Sequence, residues 1–115
     1  MSEETEQMER ALQFIRDKAK DKGIARGERV YLEEFKKSKK ALLKIEARQN
    51  GIKSDCEAED YAYAHHDYQA LLTALEIATS RDEQLRLQIL AAELRIATWQ
   101  TKQADERAEK RAYGP

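Results

Sequence analysis

The residues best suited to metal binding or catalysis lie between positions 56 and 67, where a thiol, two imidazoles and several carboxylates occur together: Cys56, Glu57, Glu59, Asp60, His65, His66 and Asp67. A zinc or other transition-metal site needs three or four such ligands to converge. On a continuous helix, residues four positions apart share a face, which brings Cys56 to Asp60 and Tyr61 to His65. No thiol then meets an imidazole, so we predict no metal site here, with His65 partly buried and with His66 and Asp67 in solvent.

The same spacing argues against catalysis. A cysteine nucleophile needs a histidine base within hydrogen-bonding reach, and Cys56 lies on a different helix face from both imidazoles. The sequence also contains no glycine-rich phosphate-binding loop and no HExxH motif. We therefore expect no catalytic residue, no cofactor and no enzymatic activity.

A second candidate site lies between positions 29 and 48. If this segment is helical at about 100° per residue, one side is basic and the opposite side is apolar. The apolar side, which is predicted to face inward against a neighbouring helix, carries Tyr31, Phe35, Leu42 and Ile45. The predicted contact residues for nucleic acid or an acidic partner are Arg29, Lys36, Lys37, Lys40, Lys44 and Arg48. Such a face is suited to sequence-independent, salt-dependent binding of phosphates, although lysine-rich helix faces are also ordinary solvated surfaces.

The elements that position these residues are helices. Charged residues make up 37% of the 115-residue chain and the only proline is Pro115, which is typical of an extended helical protein. We predict a single all-α domain over residues 1–115, with helices over 3–22, 28–49 and 55–112. Gly23 and Gly27 predict a helix end or a bend near residues 23–27, and Asn50-Gly51 predicts a left-handed helix cap.

The last predicted helix begins with the capping box Ser54-Asp55-Cys56-Glu57 and continues without glycine or proline until Gly114. A break remains open near 65–67, and another near Thr79–Asp82, where Ser80 and Glu83 have capping-box spacing. A seven-residue frame predicts a buried seam. It consists of Tyr61, Tyr68, Leu71, Leu75, Ala78, Leu85, Ile89, Ala92, Ile96 and Trp99. The short turn near Ile52 then predicts a long antiparallel, coiled-coil-like helical hairpin.

The C-terminal helix carries a second apolar stripe that this seam does not use: Leu87, Leu90, Leu94 and Ala97. A helix with two apolar sides needs two neighbours, and a hairpin supplies one. We therefore predict a homodimer formed through this stripe. A compact fold that brings the first helix across the stripe is the alternative.

The charges are unevenly distributed along the chain. Residues 16–53 carry thirteen bases and six acids, whereas residues 54–115 carry seven bases and twelve acids. The two segments are expected to attract each other, so that part of the basic face is neutralised internally. The lone Cys56 cannot form an intrachain disulfide, and no apolar run has the roughly 20 residues of a membrane span. We expect a cytoplasmic protein without a membrane partner.

Two stretches carry a resemblance: Tyr31-Leu32-Glu33-Glu34-Phe35-Lys36-Lys37-Ser38-Lys39-Lys40-Ala41-Leu42-Leu43 and Ala62-Tyr63-Ala64-His65-His66-Asp67-Tyr68-Gln69-Ala70-Leu71-Leu72. With these the chain resembles small, uncharacterised helical proteins of tailed bacteriophages and prophages, which are often encoded near recombination and replication genes. The resemblance implies a setting in the bacterial host cytoplasm.

Two functions are compatible with this setting. One is a non-enzymatic accessory protein that acts on a host protein or nucleoprotein complex, for example as an antagonist of a host nuclease or defence system. The other is a nucleic-acid-binding accessory factor of phage recombination or replication that uses the basic helix face.

Overall fold

The computed structural model describes residues 2–114, and these residues form three helices: α1 (Glu3–Gln49), α2 (Asp55–Ala64) and α3 (His66–Tyr113). The all-α helical hairpin predicted from the sequence is confirmed. None of the helices in the described range is long and apolar enough to cross a membrane.

Helix α1 is one element where the sequence predicted two. Its helical backbone continues through Gly23 and Gly27, so the predicted boundary between 22 and 28 is wrong. Both glycines would accommodate a Cβ atom without any neighbour within 4 Å. They lower the intrinsic stability of the helix without ending it, because tertiary contacts on either side outweigh a propensity cost of about 1 kcal/mol each.

The turn between α1 and α2 follows the sequence signals. Gly51 has a φ of +93°, the left-handed conformation that glycine adopts without a Cβ penalty. The Ile52 N–H donates to the Ala47 carbonyl at 3.1 Å, which satisfies an otherwise unpaired group at the helix end. Ser54 then caps α2, with its side-chain oxygen accepting the Glu57 N–H. The predicted left-handed cap is confirmed, and so is the predicted start of a helix capped by Ser54.

The predicted helix over 55–112 is divided at His65, one of the two positions at which a break was left open. His65 is extended, with φ −65° and ψ 136°, and α3 starts at the next residue. The helix continues through Thr79–Asp82, so of the two places left open only the first is a break.

The chain packs as two compact units. The central unit is Gly23–Asp82, and the terminal unit combines the residues before Gly23 with those after Asp82. In the terminal unit the two ends of the chain meet, with Lys102 donating to Glu4. In the central unit α1 runs antiparallel to α2 and α3, since Lys40 pairs with Glu59 and Arg29 with Asp82.

The buried residues are mostly alanines, which let helix backbones approach closely. Those below one-tenth exposure are Ala11, Ala25, Leu43, Ala47, Ala58, Ala62, Tyr68, Ala78, Asp82 and Ala92. In the central unit Leu43, Ala62 and Tyr68 form the core cluster, with Leu72 packed against it. All ten residues of the predicted seam from Tyr61 to Trp99 are buried or half-buried, so that prediction is confirmed.

Candidate interaction surfaces

The two predicted faces of α1 have the opposite orientation in the structure. Tyr31, Phe35, Leu42 and Ile45, predicted to face inward, are 63%, 37%, 56% and 49% exposed. The inward face instead carries Ala25, Arg29, Leu32, Lys36, Lys39, Leu43 and Ala47, which are buried or half-buried. The prediction that the basic side lies opposite the buried side is therefore wrong.

The physical reason is that α2 and α3 supply carboxylates to the inward face. The Lys40 ammonium lies 2.6 Å from Glu59 Oε1 and 4.7 Å from the centre of the Tyr63 ring. The Tyr63 hydroxyl donates to the same carboxylate at 3.1 Å. Long lysine side chains can bury their methylenes against neighbouring residues while the charged end reaches a partner.

These contacts change the ionisation of both members of the pair. The hydrogen bond from Lys40, followed by the one from Tyr63, lowers the pKa of Glu59 below its ordinary value. The hydrogen bond to Glu59 raises the pKa of Lys40 above its ordinary value. Both groups are therefore held in their charged forms, and Glu59 neutralises the positive charge of Lys40 within the chain.

A second network surrounds Asp55 at the start of α2. Its Oδ1 lies 2.8 Å from the Lys44 ammonium and 3.0 Å from the Arg48 guanidinium. The hydrogen bond from Lys44 is the main reason that the pKa of Asp55 is lowered. This carboxylate also suits the first turn of a helix, where the macrodipole is positive.

The least exposed ion pair joins Arg29 to Asp82. Asp82 is only 4% exposed, and its Oδ2 accepts from Arg29 Nη1 at 3.1 Å. Arg29 also donates to Glu33 at 3.1 Å, within α1. The buried carboxylate thus has a guanidinium beside it, as a charge in this environment requires.

The other two predicted contact residues differ in exposure. Lys37 is exposed and lies 3.2 Å from Glu34, whereas Lys36 is half-buried. Five of the six predicted contact residues therefore have an acidic partner within the chain: Arg29, Lys37, Lys40, Lys44 and Arg48. The predicted internal neutralisation of the basic segment is confirmed in the central unit.

The inverted orientation leaves an apolar surface that sequence reasoning placed in the core. We call Tyr31, Phe35, Leu42 and Ile45 the outer α1 stripe. The Tyr31 and Phe35 rings stack with centroids 5.8 Å apart and an interplanar angle of 9°. On the same unit, Ile77 of α3 is 65% exposed. The signal available in the sequence was the alternative face through Leu43 and Ala47, which has equally regular helical spacing.

The second stripe on α3, predicted for self-association, faces solvent within the terminal unit. Leu87, Leu90 and Leu94 are 54%, 40% and 59% exposed, and Ala97 is also exposed. The alternative in which the first helix covers this stripe is not found. Spacings of three, four and three residues place the four side chains along one side of α3.

The break at His65 brings together groups that a continuous helix would separate. His65, His66 and Asp67 each offer a ligand atom, and these atoms lie within 4.8 Å of one another. The exposure predicted for them is confirmed, with His65 half-buried and the other two exposed. Cys56 is exposed on α2.

Comparisons with known proteins identify no relative of this chain. No protein-family model matches it, and no curated protein or solved structure shows significant similarity. The phage resemblance seen in the sequence stays a prediction.

Proposed function

We propose that the protein is a non-enzymatic interaction protein that self-associates through the second stripe of α3 and presents the outer α1 stripe to a protein partner. The observation that carries this proposal is the exposure of two apolar stripes at coiled-coil spacing, while five of the six predicted basic contact residues of α1 are paired with acids of the same chain. Exposed apolar surface of this kind marks interaction sites in proteins.

Self-association is supported by the three leucines of the second stripe. Complete burial of a leucine side chain is worth about 1.5–3 kcal/mol, so burying the exposed half of each yields roughly 1 kcal/mol per residue. A two-fold interface uses each stripe twice, which gives about 6 kcal/mol in total before the cost of association. That sum alone corresponds to a dissociation constant of roughly 40 μM, and the cost of association weakens it further, so a dimer held by this stripe is weak and reversible.

The outer α1 stripe has the character of a site for a partner helix. Its two aromatic rings belong to the residue types that anchor protein interfaces. Charged Glu34 and Lys37 lie beside it and are themselves exposed, so the stripe has a polar rim. An amphipathic helix is the natural partner, because its apolar side chains recur at the same three- and four-residue intervals.

The setting implied by the phage resemblance suggests a class of partner. That class is a host protein or nucleoprotein complex, including a host nuclease or a defence complex. An interaction protein with exposed helical surfaces can antagonise such a complex by occupying its surface and needs no active site.

Nucleic-acid binding is the second candidate, because the basic segment carries a clear excess of positive charge. Phosphates would have to displace carboxylates such as Glu59 and Asp55 from their lysines, which is why we place this function second. It predicts binding to unrelated DNA sequences at low salt. Changing Lys36, Lys40 and Lys44 to glutamine would then flatten the logarithmic salt dependence by about three units.

The main proposal is tested by sedimentation of the Leu90→Glu/Leu94→Glu variant over a dilution series. We expect the wild type to dimerise and this variant to stay monomeric, since charge would enter a dry contact. The matched control is Gln88→Glu/Gln100→Glu, which adds the same charge at exposed positions beside the stripe. A wild type that is monomeric at high micromolar concentration, or a control that dissociates equally, would contradict self-association through these residues.

A further inference from the structure

The junction between α2 and α3 is held by polar side chains. His65 Nδ1 accepts the Asp67 N–H at 3.0 Å and so caps the start of α3. The Gln69 amide donates to the Tyr63 carbonyl at 2.6 Å across the break. Neither glycine nor proline lies in this region, so these side-chain hydrogen bonds stabilise the extended backbone conformation of His65.

The extended residue makes three consecutive metal-ligating side chains converge. His66 Nε2 lies 3.0 Å from Asp67 Oδ1, and His65 Nδ1 lies 3.9 Å from Asp67 Oδ2. Ligands placed tetrahedrally at about 2.1 Å from a zinc ion are separated by roughly 3.4 Å. The two separations from Asp67 lie on either side of this value, and the three ligand atoms lie within 4.8 Å of one another. The His66 side chain is 88% exposed, so it can adjust its rotamer to complete the site.

A second observation comes from α1. Glu46 Oε2 is inaccessible to solvent and has no hydrogen-bond partner, and it lies 3.5 Å from His65 Nε2. A metal ion on Nδ1 fixes the imidazole proton on Nε2, and that N–H then points to Glu46. Histidine ligands of metals regularly donate their other N–H to a carboxylate in this way, which orients the ring.

We propose that His65, His66 and Asp67 bind a divalent first-row transition ion such as Zn²⁺, with Glu46 orienting His65. Two imidazoles and one carboxylate favour zinc, cobalt, nickel or copper over magnesium or calcium. The ion takes the lone pair of Nδ1 that now accepts the Asp67 N–H, and this N–H is left to water at the exposed start of α3. Bound metal thereby fastens the junction between α2 and α3.

One cation of the chain opposes binding. The Lys39 ammonium lies 3.4 Å from Asp67 Oδ2 and competes with the metal for this carboxylate. Replacing it with a neutral side chain of similar length is therefore expected to tighten binding. The Lys39→Met variant therefore tests the site through a gain in metal affinity.

The experiment uses full-length protein without a histidine tag, in a Cys56→Ser background that removes the exposed thiol. Co²⁺ is titrated while its visible absorption is recorded, and Zn²⁺ affinity is measured by calorimetry. We expect one ion per chain, a loss of affinity of at least tenfold in His66→Ala, and a loss of about 10–100-fold in Glu46→Gln. Lys39→Met should bind more tightly than the parent protein.

Glu57→Gln is the matched control, because it removes an equal charge from an exposed position on α2 and should bind as the parent does. Far-UV circular dichroism establishes that each variant is folded. The proposal is overturned if Co²⁺ shows no saturable binding up to about 100 μM, or if His66→Ala binds as tightly as the parent protein.

Discussion

Replacement of Arg29 by methionine separates a structural role for this residue from a role in partner binding. Arg29 lies on the predicted basic face, yet its guanidinium is beside Asp82, whose side chain is only 6% exposed. Methionine keeps most of the aliphatic volume and removes the charge. The buried carboxylate then loses its guanidinium partner, which is the costly way to break an ion pair.

The size of the effect follows from burial. Breaking a fully buried pair by removing one partner costs about 3–5 kcal/mol. The Arg29 side chain is 31% exposed, so water screens part of the interaction, and we expect a loss of about 1.5–3 kcal/mol. Arg81→Met is the matched control, since Arg81 is 53% exposed and lies 3.8 Å from Glu28. Such a surface pair is worth roughly 0–0.5 kcal/mol.

Urea unfolding followed by circular dichroism measures both losses at one protein concentration, so that self-association acts on both variants under the same conditions. The additional Asp82→Asn change should recover part of the stability lost in Arg29→Met, because it removes the negative charge from a buried position that no longer has Arg29 beside it. Equal midpoints for Arg29→Met and Arg81→Met would refute the structural role of Arg29 and return it to the candidate contact residues.

Two further predictions concern the helices and their ion pairs. Gly23→Ala and Gly27→Ala should each raise the free energy of unfolding by about 0.5–1 kcal/mol, since both glycines are helical with open space around them. Gly51→Ala should lower it by about 1–2 kcal/mol because Gly51 has a positive φ. Chemical denaturation measures all three changes. Folding lowers the pKa of Glu59 and raises that of Lys40, so this ion pair stabilises the protein at neutral pH. Its contribution is lost in acid, as Glu59 protonates, and in strong alkali, above about pH 10, as Lys40 loses its proton. Thermal unfolding from pH 2 to 8 should therefore show an acid limb that Glu59→Gln makes shallower, and an unchanged limb would contradict the assignment.

Local signals in the sequence were sufficient for the turn between α1 and α2 and for the seam of α3. Gly51 and Ser54 act through atoms within a few residues of themselves, so their patterns predict their conformations. The seam through Leu75, Ile89 and Ile96 follows from periodicity, because its apolar residues continue at regular spacing along α2 and α3, whereas the second stripe is confined to residues 87–97. These predictions depend on no distant part of the chain.

The inward face of α1 could not be predicted in the same way. The stripe through Phe35 and Leu42 and the face through Lys36 and Leu43 have similar helical spacing, and hydrophobicity alone favours the first. The choice is made by distant acids such as Glu59, which give charged side chains partners inside the hairpin. A segment-level charge count indicated this attraction, yet it carried no information about which face of α1 would turn inward.

The convergence of His65, His66 and Asp67 was not predicted, for a related reason. A continuous helix separates consecutive side chains by about 100°, so no approach of these three side chains was expected. A single extended residue removes that separation. The position of Glu46 beside His65 could not be predicted either, because Glu46 lies on a different helix and its neighbours depend on the register of the hairpin.

The orientation of α1 is the central claim, and neighbouring residues Leu42 and Leu43 test it most directly. Each is replaced by cysteine in a Cys56→Ser background, and the rate of maleimide labelling is measured in native protein, with denatured protein giving the intrinsic rate. Leu42 is 56% exposed and Leu43 is 3% exposed. The account predicts rapid labelling of Leu42→Cys and strong protection of Leu43→Cys. Protection of Leu42→Cys together with rapid labelling of Leu43→Cys would show that the apolar stripe faces inward and would contradict the account.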